Sequence, residues 1–562
     1  MSLTCIPSPI QVNFTENIPD GNELGAALDL LASGHSLNAA ANILGCPRST
    51  LRGQVDYFNR IKLPFLVKKA LISAEGSAFL KRLAVSTHLY FRDICACGLR
   101  VIGDFFRDVG LDSLIGSSLG CQWSFGKEVE EGIVDFGRER LKDVAAQVDG
   151  KEVTLALDEN FHEGTCLVGI EPSSNFLFTE ELVDSHKTED WKAALSPVLA
   201  LLGVNVVQVS SDCGRSIVAL AEEVFKAHHS PDLFHILYNF RKAFKPAVRR
   251  VRRGLESEMT RLEKEISPLE LLKERWDKMD SSQKGRGRPP DFNTRIDELE
   301  TSWTRSIDEY NELEQAEKIL LERLKKLSSG YHPVSIETGL RQSSHTFAEL
   351  GQAVLDAGEK IVARFKLSPE ATNALEKLAR MIEKMKETLN YIDRIWNQKS
   401  TAWTVNHKEK FALQSKLVSA AYLQRIARGK GTLEAHEINK LAQKLMAEVE
   451  GTIGSQRTQE LFKIAVQMAE DFQRSTSMVE GRNGMLSFRH HAFHRLSSLK
   501  RQVLSTIHNY VTKRADGTTA SERFSGVIPP NLVDWLCERI KCVPKSGGKR
   551  QQNMAVLKLV KS

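Results

Sequence analysis

Two short apolar runs limit what this chain can fold into. KEVTLALDEN at 151–160 reads as a strand ending in Asp158, and VNVVQVSSD at 204–212 reads as a strand ending in Asp212. The second run is nearly continuously apolar, as a strand covered on both faces must be. Such a strand needs helices on either side of its sheet, so the segment predicts an α/β core. Between the two runs, TCLVGIEPSSNFLFTEELVD reads as two more strands around a Pro-Ser-Ser-Asn turn, and 191–202 reads as a helix. After them come a helix over 216–227, a short strand within HHSPDLFHI, and a basic helix from Ile236 onward. The order is three strands, helix, strand, helix, strand, helix.

That order is an RNase H-like mixed α/β layout, assigned here to 151–250 and 456–530. The chain is 562 residues, 41% hydrophobic and 26% charged, which predicts several globular domains and excludes a disordered or fibrous chain. Residues 1–22, rich in Pro, Asn and Asp, read as an extended arm. In 23–62, Leu24, Ala27, Leu28 and Leu31 recur at helical spacing, Gly34 breaks the run, and Ser36 can cap a second helix. Gly45, Cys46 and Pro47 then turn the chain into RSTLRGQVDYFNR. Three such helices make a helix-turn-helix, with Arg48, Ser49, Thr50 and Arg52 as the side chains that enter the major groove. The same triplet also describes a small helical bundle without DNA. Residues 63–150 read as a helical linker or further DNA-binding region, with Cys95 and Cys97 as buried small hydrophobes and no zinc site. Residues 251–455, rich in Glu, Lys and Leu, read as an all-α insertion, and 531–562 as a basic tail.

Charge is unevenly placed. Residues 241–290 hold 15 Lys/Arg against 8 Asp/Glu, and 541–562 hold six Lys/Arg and no acid. Local excess of this kind suits a polyanion, because each neutralised phosphate releases counterions. A solvated helix face and a frayed tail would look the same. Within the insertion, QKGRGRPPDF at 283–292 carries Arg286 and Arg288 in an AT-hook-like core, whose extended backbone would lie along a narrow minor groove; a plain basic loop is the other reading. Nine scattered cysteines without paired spacing, no leader and no bilayer-length apolar run predict a soluble cytoplasmic protein with reduced thiols.

Three acids could carry chemistry. Asp158 and Asp212 sit where an open α/β sheet presents its ligand-binding edge, and two adjacent carboxylates can hold divalent ions that stabilise both oxygens of an in-line phosphoryl transfer. Each could instead serve a turn or a helix cap. Asp232 and His235, in SPDLFH, form an Asp-x-x-His element, although Ser230, Pro231 and Asp232 also suit helix initiation. Glu480 is the candidate third acid: Asn483, Ser487 and His491 lie within about 60° of it on a helical wheel. Ser477-Met-Val-Glu480 is equally a capping box.

The Asp-x-x-His element resembles the signature of Mutator-like and hAT-like DDE transposases. EGRNGMLSFRHHAFHRLS, RADGTTASERFSG and YHPVSIETG at 331–339 look like segments of a bacterial insertion-sequence DDE transposase family. The resemblance implies an RNase H-like catalytic core interrupted by a large all-α insertion, with an N-terminal helix-turn-helix. It further implies a triad of Asp158, Asp212 and Glu480 holding two Mg²⁺ or Mn²⁺ ions, with Asp232, His235 and Asn483 in support. The implied partners are double-stranded DNA, as element terminal repeats and target, and further copies of the chain in a dimer or larger assembly at the nucleoid. A transposase-derived DNA-binding regulator without catalysis, or a nuclease without strand transfer, would carry the same residues.

Overall fold

The computed structural model describes residues 21–161, 164–281, 283–284, 287–493, 496–541 and 543. The arm expected over 1–22 lies outside them except for its last two residues, as do Arg286 and nearly all of the tail beyond 541. A five-stranded mixed sheet forms the centre: β1 (Glu152–Asn160), β2 (Thr165–Glu171), β3 (Phe176–Val183), β4 (Asn205–Ser211) and β5 (His228–Pro231). Their order is β3-β2-β1-β4-β5, with β1–β2 and β2–β3 antiparallel and β1–β4 and β4–β5 parallel. The turn from β2 to β3 closes on Asn175 at φ +65°, a left-handed conformation asparagine tolerates, while the Glu171 carboxylate accepts the Ser173 and Ser174 amides.

Alternation along β1 divides the sheet between two cores. Leu155 and Leu157 face one core and Ala156 faces the other. The first core contains α4 (Phe65–Ile72), α5 (Ala74–Thr87), a π-helical turn at His88–Ile94, α6 (Leu99–Asp108), α7 (Leu119–Val148) and α8 (Thr188–Leu202), with α9 (Arg215–Ala219) following β4. Residues 63–150 are therefore wall rather than linker: Phe106, Phe125, Val129 and Ile133 pack in the same cluster as Leu155. Cys95 is exposed and Cys97 half-buried, so neither is the buried hydrophobe expected.

The insertion leaves the sheet at the end of β5. α10 (Leu233–Asp277), α11 (Phe292–Gly330), α12 (Ser344–Phe365) and α13 (Pro369–Thr401) enclose Leu313, Leu320, Val354 and Leu378. α13 continues into a second core with α14 (His407–Ala412), α15 (Val418–Ala427), α16 (Thr432–Ile453) and α17 (Ser455–Glu470), where Trp396 stacks on Phe472 at 5.2 Å. The boundary drawn between 250 and 251 thus falls inside α10, whose apolar face runs on unbroken from Phe240 through Val248 to Leu255. α17 likewise belongs to the insertion, through Leu461 and Ala465. Arg288 lies exposed in the connection from α10 to α11.

The chain returns to the sheet with α18 (Ser477–Phe493), α19 (Ser498–Tyr510), α20 (Ala520–Ser525) and α21 (Leu532–Arg539). α21 corrects the tail expected from 531: Leu532, Val533, Trp535 and Leu536 are buried, and the Trp535 ring meets Phe136 edge-on at 5.4 Å. Its charges lie on the outer side of an amphipathic helix, which charge counting alone reads as tail. At the other end, α1 (Gly21–Ala32), α2 (Leu37–Ile43) and α3 (Arg48–Arg60) form the expected triplet, with Gly34 and Gly45 at positive φ and the Ser36 hydroxyl accepting the Ala39 amide. Among the described residues, no helix is long and apolar enough to cross a membrane.

Candidate active site

Strand register brings the aspartates together. Ala156 on β1 lies opposite Ser210 on β4, so two residues further on Asp158 comes alongside Asp212. Ser211 lies opposite Pro231 on β5, so Asp212 is next to Asp232. β1 does not stop at Asp158 as expected but runs on to Asn160, because its pairing with β2 continues, so the three acids lie on one edge of the sheet, two residues before the end of β1 and immediately after β4 and β5. Asp158 is part-buried, and this burial, with the Asp212 charge adding to it, pushes its carboxyl up to about 6. Asp212 is exposed and follows β4 into a turn: its Oδ1 accepts the Gly214 amide at 3.0 Å, and Cys213 between them sits at φ +72°. It does not cap α9, whose N-cap is Gly214.

α18 lies across this edge. Val479 and Leu486 bury against Ala156, Val168 and Ile170, which fixes the helix over β1 and β2. Arg482, almost wholly buried, pairs with the equally buried Glu180 on β3, and the Ser505 hydroxyl also donates to that carboxylate at 3.2 Å. With these anchors set, the Asn483 amide donates to Asp158 Oδ2 at 2.7 Å. One turn earlier, Glu480 accepts a hydrogen bond from His235 Nε2 at 3.1 Å. The capping box is not formed: the Glu480 amide bonds the Thr476 carbonyl, its carboxylate turns to His235, and the Ser477 amide bonds Ser475 Oγ.

Asp232 is the junction of the site. It is the N-cap of α10, where its Oδ1 accepts the Phe234 and His235 amides at 2.8 and 3.4 Å. Its Oδ2 accepts both the amide and the hydroxyl of Thr476, at 2.8 and 3.1 Å. One ligand atom each from Asp232, His235 and Glu480 lies within 4.8 Å of the others, a spacing that could hold a metal ion. The four bonds already made occupy the lone-pair positions of Asp232, however, so its role is to fasten the first turn of α10 to the first turn of α18. Ser230 and Pro231 are not the helix start expected of them but the end of β5, where a missing amide is tolerated.

The donors left for a cation are hard oxygens: Asp158, Asp212, Glu480 and the Asn483 side-chain carbonyl, which is buried without a hydrogen-bond partner. Oxygen donors are the chemistry Mg²⁺ or Mn²⁺ prefers, although among the described residues only Asp232, His235 and Glu480 come within metal-ligand spacing of one another. Sequence reading missed Thr476 and Arg482, and marked Tyr331 only as the first residue of the YHPVSIETG segment, without a role. Tyr331 is fully buried under the site and donates to the Pro231 carbonyl at 3.1 Å, so the YHPVSIETG segment supports the strand end that precedes Asp232. Beyond the resemblance of that segment, its advance signal was a tyrosine in a Pro/Gly-containing break between helical blocks.

The expected DNA contacts are separate from the acids. Arg48, Ser49 and Arg52 are exposed on α3 and Thr50 is half-buried; none bonds to the acid cluster. Residues 413–552 match a family of unknown function, DUF6399. No curated protein and no solved structure matches the chain.

Proposed function

We propose that this protein is a DDE-type DNA transposase, which binds double-stranded DNA at the ends of its own mobile element and cuts and rejoins strands by metal-dependent phosphoryl transfer. The observation that carries this reading is the Asn483–Asp158 hydrogen bond, made between residues 325 apart in the chain. It joins the helix of the third acid to Asp158, which the strand register sets beside Asp212. The strand order, with an antiparallel β3-β2-β1 half and a parallel β1-β4-β5 half, supports an RNase H-like core, and the helices from α10 to α17 fill the place of the expected insertion.

In this reading Asp158, Asp212 and Glu480 would hold two Mg²⁺ or Mn²⁺ ions. When bound, such a pair activates the attacking oxygen and neutralises charge on the leaving one. Asn483 orients Asp158, His235 holds Glu480 toward the sheet edge, and Asp232 keeps the two supporting helix starts in place. Water first attacks the scissile phosphodiester and releases a 3′-hydroxyl; that hydroxyl then attacks a target phosphodiester and displaces the target's own 3′-oxygen. The first step is a hydrolysis that leaves a 5′-phosphate beside the 3′-hydroxyl, and the second exchanges one ester oxygen for another, so no covalent protein intermediate is needed.

The test is strand cleavage and joining on DNA carrying the element's terminal repeats. Purified protein with Mg²⁺ or Mn²⁺ is expected to nick and join that DNA, and EDTA to stop both. Binding without nicking under any of these conditions would make the protein a regulator instead; nicking without joining would make it a nuclease. The helix-turn-helix has its own measurement. Arg48→Ala with Arg52→Ala removes two phosphate-reaching or base-reaching cations, so the slope of log affinity against log salt is expected to become shallower by about 2. An unchanged slope would move DNA recognition off α3.

A further inference from the structure

α10 has a second face that its packing leaves unused. Between Asp232 and Glu256 the chain carries seven Lys/Arg and no acid. Leu237, Phe240, Phe244 and Val248 bury one side of the helix. On the other side Phe234, Tyr238, Arg241, Lys245 and Arg249 fall within an arc of about 80° at 100° per residue. Phe234 is 64% exposed and Tyr238 53%, and their rings lie nearly parallel, 18° apart in plane with centroids 6.3 Å apart. Two large apolar rings in water, one turn apart and stacked, form a flat shelf. It adjoins the acids, because His235, next to Phe234, holds Glu480. Among the described residues, the one ion pair that these seven cations make is Arg252 with Glu317.

We infer that this face binds an unpaired stretch of DNA at the cleavage end, with a base stacked on Phe234 and Tyr238 and the phosphates running along Arg241, Lys245 and Arg249. The charge row suits a polyanion. The shelf requires a flat π-face, and in duplex DNA every base face is already covered by its neighbours. An exposed shelf at the head of a cation row therefore selects DNA that has been opened at that point. The inference takes the acids as the strand-cleaving centre described above and adds the form of DNA that reaches it.

The experiment uses the full chain in EDTA, so that nothing is cut, with a single strand of about 24 nucleotides carrying a central 2-aminopurine and the same strand annealed to its complement. Wild type is expected to bind the single strand and quench the 2-aminopurine through stacking. Phe234→Ala with Tyr238→Ala is expected to abolish the quench and weaken single-strand binding roughly tenfold, with duplex binding unchanged. Both side chains are exposed, so the variant keeps its core. Lys245→Glu with Arg249→Glu should weaken both probes and flatten their salt dependence. A quench that survives in the aromatic variant, no quench in wild type, or an equal loss on duplex each overturns the inference. If wild type stacks the base and the aromatic variant does not, yet no DNA is ever nicked with Mn²⁺, the shelf stands and the transposase reading falls.

Discussion

Asp158→Asn is expected to slow strand cleavage by about a thousandfold or more while leaving DNA affinity in EDTA within about twofold of wild type. The substitution removes one charge at the point where the two aspartates meet and keeps the size of the side chain. The Asn483 amide can still donate to its carbonyl oxygen, as it now donates to Asp158 Oδ2. What changes is the ability to hold a hard cation between Asp158 and Asp212. A thousandfold loss corresponds to about 4 kcal/mol of transition-state stabilisation, the scale expected for an electrostatic clamp on phosphoryl oxygens. Stability should move the other way. The Asp158 carboxyl, pushed up to about 6 mainly by burial and further by Asp212, is an unfavourable neighbour when no metal is bound. The neutral variant is therefore expected to melt no lower than wild type in EDTA at pH 8. A protein that loses cleavage together with several degrees of melting temperature would show that Asp158 is structural, and the proposed centre would fail with it.

How far the site could be read from the chain depended on the range of the interactions involved. Asp158 and Asp212 were legible because an apolar strand followed by an acid is a local pattern, and the sheet's register then does the rest. The N-terminal triplet of helices was legible for the same reason, since Gly34, Ser36 and Gly45 act within their own turns. Asp232 was not. Half of its bonds are to Thr476, 244 residues away, and nothing near Thr476 marks it as a partner. The local signals at Ser230 and Ser477 suggested helix caps that tertiary packing replaced: β5 continues through Pro231, and Thr476 supplies the carbonyl that starts α18. Residues 63–150 and α21 were misread because an amphipathic helix announces a buried face without naming what buries it. Here the answer is one cluster shared with β1, to which no short segment of the sequence points.

Lys500→Met is expected to be the most destabilising of these substitutions, although Lys500 lies outside the acid cluster. Lys500 on α19 reaches Asp93 in the π-helical turn and Glu130 on α7, the latter at 2.7 Å, and Arg92 completes the group 3.1 Å from Glu130. All four side chains are buried or nearly so, and their charges cancel. Burial already pushes Asp93 up to about 6, with Lys500 opposing that rise. Removing the lysine leaves two buried carboxylates against one arginine, a loss of about 3–5 kcal/mol when one partner of a buried pair is taken away. The sign of the pH effect follows from Asp93. Its folded pKa lies above its unfolded value and rises further without Lys500, so the folded variant takes up a proton on acidification more readily than the unfolded chain. The deficit of the variant against wild type should therefore be fullest at pH 8 and smaller at pH 5, read as the difference in denaturant midpoint. Adding Asp93→Asn to Lys500→Met leaves Arg92 and Glu130 balanced and is expected to recover more than half of the loss, a coupling that independent sites would not show. Equal deficits at both pH values, or a double variant no more stable than Lys500→Met, would mean that the charges of Asp93 and Lys500 do not tie the late helices to the early ones.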